Sequence, residues 1–69
     1  MFKREIRRFI VLNHENEPIT VDMSSGGYPY ATKELNRITL FHLKHEAEQY
    51  AASFRHYKAI PVIMTIEEI

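Results

Sequence analysis

The stretch FHLKHEAEQYAASFRHY, residues 41–57, decides the fold because it has the pattern of an amphipathic helix. Its apolar residues recur at i, i+3, i+4 and i+7, which places them on one helical face: Ala47, Tyr50, Ala51 and Phe54. Acidic residues come early in the stretch and basic residues late, as the helix dipole favours. We predict one helix over residues 41–57 that packs on a sheet and is ended by the β-branched run from Ile60 onward.

The segments on both sides of this helix have β-strand character. Residues 4–13 form a first predicted strand, and the polar residues 14–18 form the connection of a hairpin. Residues 19–23 alternate apolar and polar side chains and form a second strand, followed by a turn at residues 24–27. Alternation from Ile60 to Glu67 predicts the third strand.

The element order ββαβ predicts a single α+β domain over residues 1–69. We expect a three-stranded antiparallel sheet of order 2-1-3 with one helix packed on one face. Neighbouring first and last strands would bring a basic strand start opposite an acidic strand end: Lys3, Arg4, Arg7 and Arg8 against Glu67 and Glu68. Phe9, Val11 and Ile63 are then expected on the face away from the helix, covered by residues 31–41, by a second copy or by a partner.

Composition excludes several classes of protein. The chain has 69 residues, no cysteine and a formal net charge of zero. The lack of cysteine excludes a disulfide framework, a thiolate nucleophile and a zinc–thiolate site. No apolar run approaches the ~20 residues of a membrane span. We expect a cytoplasmic protein without a secretion signal.

Two short motifs carry a resemblance to a known group. SGGYPY (residues 25–30) and LFHLKHEAEQYA (residues 40–51) resemble small uncharacterised proteins of tailed bacteriophages, which share an N-terminal hairpin, this kind of turn and this helix start. The group favours Ser or Thr at the helix N-cap, where this chain has Leu43, so the cap bond is missing or His42 supplies it. The resemblance implies an accessory protein in the cytoplasm of an infected bacterium that binds and modulates a host or phage protein, for example as an inhibitor of a host defence or of a host enzyme. It implies no catalytic residues.

No constellation of residues predicts a reaction. His42 and His45 are spaced i, i+3 without a third ligand, and Ser24 and Ser25 belong to no nucleophile motif. The glycine pair is followed by Tyr-Pro-Tyr rather than by a helix and a lysine, so it does not predict a phosphate loop. We therefore predict no enzyme activity, no metal site and no cofactor.

Two surfaces are candidates for binding. Tyr28 and Tyr30 flank Pro29 and would form a rigid aromatic patch, although packing of these rings on the core is the favoured interpretation. The predicted partner-binding residues are Tyr28, Tyr30, Phe9, Val11 and Glu48. The alternative is a nucleic-acid-binding protein that uses Lys3, Arg4, Arg7 and Arg8. Whether this basic cluster binds phosphates or only pairs with Glu67 and Glu68 stays open.

Overall fold

The computed structural model describes residues 2–69. Its elements, in chain order, are β1 (Lys3–Leu12), β2 (Ile19–Asp22), a 3-10 turn (Met23–Ser25), β3 (Tyr28–Ala31), a second 3-10 turn (Leu35–Arg37), α1 (Lys44–Ala52) and β4 (Lys58–Glu67). The predicted α+β class with one α-helix is confirmed for these residues. The strand β3 was not predicted. Its Tyr-Pro-Tyr sequence directly follows the predicted turn at residues 24–27 and was not identified as a strand.

β1 and β4 form an antiparallel ladder that runs along their whole length. Lys3 is opposite Glu67 at one end, and Leu12 is opposite Lys58 at the other. The prediction that the first and last strands are neighbours is therefore confirmed. The predicted charge pairing is present at Lys3, whose Nζ lies 3.9 Å from Oε1 of Glu67. Both side chains are largely exposed, so this pair contributes no more than about 1 kcal/mol.

The predicted three-stranded sheet is wrong: the described strands form two separate two-stranded sheets, β1–β4 and β2–β3. Residues 39–41 lie between β1 and β2 and form hydrogen bonds with backbone groups on the facing edges of both strands. Phe9 exchanges backbone hydrogen bonds of 2.9 and 2.7 Å with Phe41, and Thr39 N–H donates to the carbonyl oxygen of Ile19 at 3.1 Å. β1 and β2 are bridged only at Leu12 and Pro18.

The hairpin connection between β1 and β2 is organised by Asn13. Its side-chain Oδ1 accepts hydrogen bonds from the backbone N–H groups of Glu15 at 2.9 Å and Glu17 at 3.0 Å. Asn16 has a φ of 61°, a left-handed conformation that asparagine tolerates better than most residues. The predicted polar turn is therefore present, and its buried amide is satisfied within the turn.

α1 is shorter than the predicted helix of residues 41–57. Leu43 is the N-cap and makes no side-chain cap bond, as the missing Ser or Thr at this position implied. After Ala52 the chain tightens, because Phe54 N–H donates to the carbonyl oxygen of Ala51 at 3.1 Å. His56 then takes a φ of 66° and turns the chain into β4. This turn therefore ends the helix. The prediction that the β-branched run from Ile60 onward ends it is wrong.

The core lies between α1 and the inner half of the β1–β4 ladder. Its buried residues are Val11, Ile19, Ala47 and Ala51. The two alanines allow close approach of the helix to the sheet, and both belong to the helical face that the sequence pattern predicted. Tyr50 and Phe54, the two large residues of the predicted helical face, pack at the margin of the core and are half-buried.

The predicted orientation of Phe9 and Val11 is wrong. Val11 is 0% exposed, and both residues pack with the core under α1. The same prediction is wrong for Ile63, which is opposite Arg7 and therefore lies on the same face of the ladder as Phe9 and Val11. Because side chains alternate along a strand, a phase error of one residue exchanges the two faces. The face away from the helix instead carries even-numbered residues of both strands: Ile6, Ile10, Ile60, Val62 and Met64.

The outer half of the β1–β4 ladder extends beyond the core as a two-stranded ribbon. The described residues measure 43 × 22 × 21 Å along their principal axes. Most side chains of Lys3–Arg7 and of residues 63–67 are exposed, including Ile63 at 62% and Ile66 at 43%. We call this part the ribbon.

Candidate protein-binding surface: the exposed tyrosine pair

Tyr28 and Tyr30 form a pair of exposed aromatic rings on β3. Residues i and i+2 of a strand point to the same side, so the two rings lie side by side. Their centroids are 5.0 Å apart with an interplanar angle of 52°. Tyr28 is 57% exposed and Tyr30 is 47% exposed. The favoured prediction, that these rings pack on the core, is therefore wrong, and the surface alternative describes their placement.

Pro29 anchors the pair from the opposite side of the strand. It is buried, and it stands opposite Val21 in the β2–β3 ladder. Thr32 N–H donates to the carbonyl oxygen of Pro18 at 2.9 Å, and bonded and non-bonded pairs alternate from there along the ladder. This alternation turns the backbone nitrogen of Pro29 toward the free edge, where the ladder needs no donor. Proline is thus tolerated and stiffens the strand between the two rings.

The loop before β3 is held by the carboxylate of Asp22. Asp22 accepts hydrogen bonds from the N–H and the hydroxyl of Ser24 and from the hydroxyl of Ser25. The hydrogen bonds from Ser24 lower the pKa of the Asp22 carboxyl below its usual 3.8. Gly26 and Gly27 have φ values of 74° and 85°, which most other residues adopt only with strain. The predicted turn at residues 24–27 is confirmed.

Tyr50 ties this loop to the helix. Its hydroxyl donates a 2.7 Å hydrogen bond to the carbonyl oxygen of Gly27, the residue that directly precedes β3. Burial raises the pKa of the Tyr50 hydroxyl above its usual 10.0, and the nearby Tyr57 adds a smaller electrostatic contribution in the same direction. The ring of Tyr50 also packs on Phe41 and Phe54, with centroids 5.6 and 5.3 Å apart. The tyrosine pair therefore starts from a loop that is fixed to the core.

An open groove borders the pair on the side of Tyr30. The groove has a volume of about 650 Å³ and is also lined by Met23, Thr32 and Arg37. Met23 is largely exposed, and the guanidinium of Arg37 pairs with Glu34 at 2.7 Å. Met23 and Arg37 were not among the predicted site residues. Alternation placed Met23 in a strand, and no local pattern shows that residues 23 and 37 border the same groove.

The structure separates the other predicted partner-binding residues from the pair. Val11 is buried under α1 and is not available to a partner, and Phe9 is half-buried beside Phe41. Glu48 is exposed on α1, a different element from β3. The two tyrosines are therefore the predicted residues that the fold brings together at the surface.

The basic residues of the alternative site lie on the ribbon and at its inner end, where Arg8 is opposite Val62, and they divide between the two faces of the β1–β4 ladder. Lys3 pairs with Glu67. The Arg4 guanidinium lies 5.4 Å from the ring centroid of Phe2, and Arg8 donates to the carbonyl oxygen of Arg7 at 2.7 Å. Within residues 2–69, no carboxylate forms an ion pair with these three arginines. The cross-strand ion pair with Glu67 thus involves Lys3, and the charges of the three arginines stay available to a ligand.

Three further observations concern other kinds of site. The histidines His42 and His45 are exposed at the start of α1. In the part of the chain that the structure describes, no three His, Asp or Glu side chains are grouped closely enough to hold a metal ion. No helix within residues 2–69 has the length and apolar content needed to cross a membrane.

Comparison with known proteins adds no relative. A scan against family models, a search of curated proteins and a search of solved structures each found no match to this chain.

Proposed function

We propose that this protein binds another protein and that Tyr28 and Tyr30 are the centre of the contact. The observation that carries this proposal is the exposure of both rings, 57% and 47%, on a strand that is fixed by a buried proline. Tyrosine combines a large apolar area with a hydroxyl, and it is enriched among the residues that dominate binding energies. Two adjacent rings that already contact each other lose little side-chain entropy when a partner covers them.

The surroundings of the pair suit a protein surface. The groove is lined by the flexible side chain of Met23 and by Arg37, which pairs with Glu34, so it provides apolar contact with a polar border. The groove is open and not enclosed, which fits a side chain or a short segment of a partner better than a small molecule.

The kind of partner is taken from the resemblance to small bacteriophage proteins. On that basis we propose an accessory protein that binds a protein of the bacterial host and changes its activity, with inhibition of a defence factor as the leading case. The support is the SGGYPY turn, which supplies both tyrosines, together with the helix start at residues 40–51.

Affinity capture from a bacterial lysate tests the proposal. The tagged protein, the variants Tyr28→Ala and Tyr30→Ala and the control Leu35→Ala would be compared, with and without nuclease, by quantitative mass spectrometry. Leu35 is 86% exposed and lies on a different element, so its loss removes a similar apolar area elsewhere. We expect one protein in stoichiometric amount that survives nuclease and falls at least tenfold with either tyrosine variant. Equal recovery by all four proteins would remove the tyrosine pair from the site.

A second candidate function is nucleic-acid binding by the ribbon. Arg4, Arg7 and Arg8 have no carboxylate partner within residues 2–69, and a two-stranded ribbon has the dimensions to enter the major groove of DNA. Fluorescence anisotropy with a labelled oligonucleotide tests this function. Binding should weaken steeply with salt, and Arg4→Ala with Arg8→Ala should reduce the salt dependence. Binding that is absent at low salt would exclude it.

A further inference from the structure

The outer edge of β4 presents unpaired backbone groups. Glu68 N–H donates to the carbonyl oxygen of Phe2, so the backbone N–H and C=O groups of even-numbered residues in β4 point toward β1. Phe9 is opposite Pro61, and its backbone N–H and C=O groups bond to Phe41 on the side away from β4. The backbone groups of odd-numbered residues in this ladder therefore point outward. The N–H and C=O groups of Ile63, Thr65 and Glu67 therefore face away from β1, and no hydrogen bond within residues 2–69 satisfies them.

The same part of β4 is apolar on both faces of the ribbon. Ile63 is 62% exposed on the face that α1 occupies further along, and Ile66 is 43% exposed on the opposite face. Met64 is half-buried beside Ile66 on that opposite face. A two-stranded ribbon with apolar residues on both faces is marginal in water, and an open edge of this length is a template for another strand.

We propose that a second copy of this chain occupies this edge and that two β4 strands pair antiparallel about a two-fold axis. The result is a continuous four-stranded sheet in the order β1–β4–β4–β1. Charge selects this arrangement, because β4 begins with Lys58 and ends with Glu67, which Glu68 follows in the chain. An antiparallel mate brings the basic end of one strand toward the acidic end of the other, whereas a parallel mate would set like charges together.

The axis passes through Met64. In this register Ile63 is opposite Thr65 of the other copy, so the free N–H and C=O groups of both residues are satisfied. Val62 is opposite Ile66, which joins the apolar faces of the two ribbons. Pro61, which has no outward N–H, stands at the margin of the pairing, where it costs only one bond per copy.

Single-cysteine variants test the edge and the register together, since the chain has no cysteine of its own. Across the axis, the two copies of residue 64 form a non-hydrogen-bonded pair with Cα atoms about 4.5 Å apart, within reach of a disulfide. The two copies of residue 62 are displaced by four positions, or roughly 13 Å, beyond that reach. We expect Met64→Cys to form a covalent dimer under mild oxidation at least tenfold faster than Val62→Cys. Equal rates for the two variants would overturn the proposed pairing.

Sedimentation equilibrium of the uncross-linked protein supplies the second measurement. A strand-edge interface is small, so we expect dimers to appear at roughly 10–100 µM protein. Thr65→Pro removes an outward N–H that the β1–β4 ladder does not use, and it should weaken the dimer at least tenfold. Thr65→Val, which keeps that N–H, is the matched control and should dimerise like the unaltered chain.

Two outcomes would overturn the proposed pairing. A chain that remains monomeric at about 1 mM overturns the proposal, since no weaker association would act in a cell. A monomer that instead binds an added duplex oligonucleotide through the ribbon also overturns it and favours nucleic acid as the occupant.

Discussion

The hydroxyl of Tyr50 donates a 2.7 Å hydrogen bond to the carbonyl oxygen of Gly27, across 23 positions of the chain. This bond connects α1, the helix over the core, with the loop that leads directly into the tyrosine pair. It couples the stability of the helix to the position of Tyr28, because Gly27 is the residue before it.

Tyr50→Phe should lower the free energy of unfolding by about 1 kcal/mol, the usual net contribution of one hydrogen bond. The ring and its contacts with Phe41 and Phe54 are kept, so the loss reports on the hydroxyl alone. Urea denaturation followed by circular dichroism measures the change. Tyr28→Phe is the matched control, since that ring is exposed and its variant should unfold like the unaltered chain. Equal stability of both variants would show that the Gly27 bond contributes nothing.

Alkaline pH should destabilise the fold through the same tyrosine. Burial raises the pKa of Tyr50 above its value in the unfolded chain, so the folded state holds the proton more tightly. The stabilising contribution is complete below the usual pKa of 10.0 and is lost as the pH rises through the higher pKa of the folded state. The loss of stability between about pH 9 and 11 should therefore be smaller in Tyr50→Phe than in the unaltered chain. An identical pH dependence would contradict this account.

At acidic pH, the Asp22 carboxylate should titrate below its usual pKa. Hydrogen bonds from Ser24 stabilise its ionised form, so the folded-state pKa is below 3.8. Its stabilising effect on the loop is present above the unfolded value and is lost as the pH falls through the folded value. Carbon chemical shifts of Asp22, followed by NMR from pH 6 to 2, measure this pKa. A midpoint at or above 3.8 would show that the Ser24 hydrogen bonds do not hold in solution.

Ile19→Ala should destabilise the fold by about 2–5 kcal/mol, the range for large-to-alanine changes in a core. Ile19 is 1% exposed and packs in the same cluster as Val11 and Ala47. Thermal or urea denaturation measures the loss, which would leave a domain of this size with little remaining stability. The exposed residue Leu35 provides the comparison, and Leu35→Ala should change the free energy by less than about 0.5 kcal/mol.

His56→Gly should stabilise the fold by roughly 0.5–1 kcal/mol. His56 has a φ of 66°, where a β-carbon costs about 1–2 kcal/mol and glycine avoids that cost at the expense of a more flexible unfolded chain. Arg55→Gly, one position earlier and without positive φ, should instead be neutral or destabilising. Denaturation curves should show a gain in stability for His56→Gly and no gain for Arg55→Gly, and equal changes in the two variants would contradict a strained turn after α1.

Local patterns were sufficient to predict most of the elements. Alternation predicted β2 and β4, the 3.6-residue pattern predicted the helix centre at Ala47 and Ala51, and the glycine pair predicted the turn before β3. These predictions hold because each depends on residues that are close to one another in the sequence. The helix end was misplaced because the apolar pattern continues through Phe54, which packs against Tyr50 from a turn and not from the helix.

The candidate site was only partly predictable. The sequence showed two tyrosines around a proline, but it did not show which side of the strand faces the core. Burial of Pro29 in place of the rings follows from the register of β3 against β2. Val11 was misassigned for the same reason, since the choice between two faces of a strand depends on what packs on each face.

The sequence by itself determined the α+β class, the single helix, the antiparallel partnership of the first and last strands and the absence of cysteine chemistry. Periodicity, composition and the charges at the strand ends encode these properties locally. The tertiary structure alone decided that residues 39–41 separate β1 from β2, that Tyr28 and Tyr30 face outward and that the edge of β4 is open. Each of these depends on competition between distant backbone segments for the same hydrogen-bonding groups, and that competition is resolved only when the chain is folded.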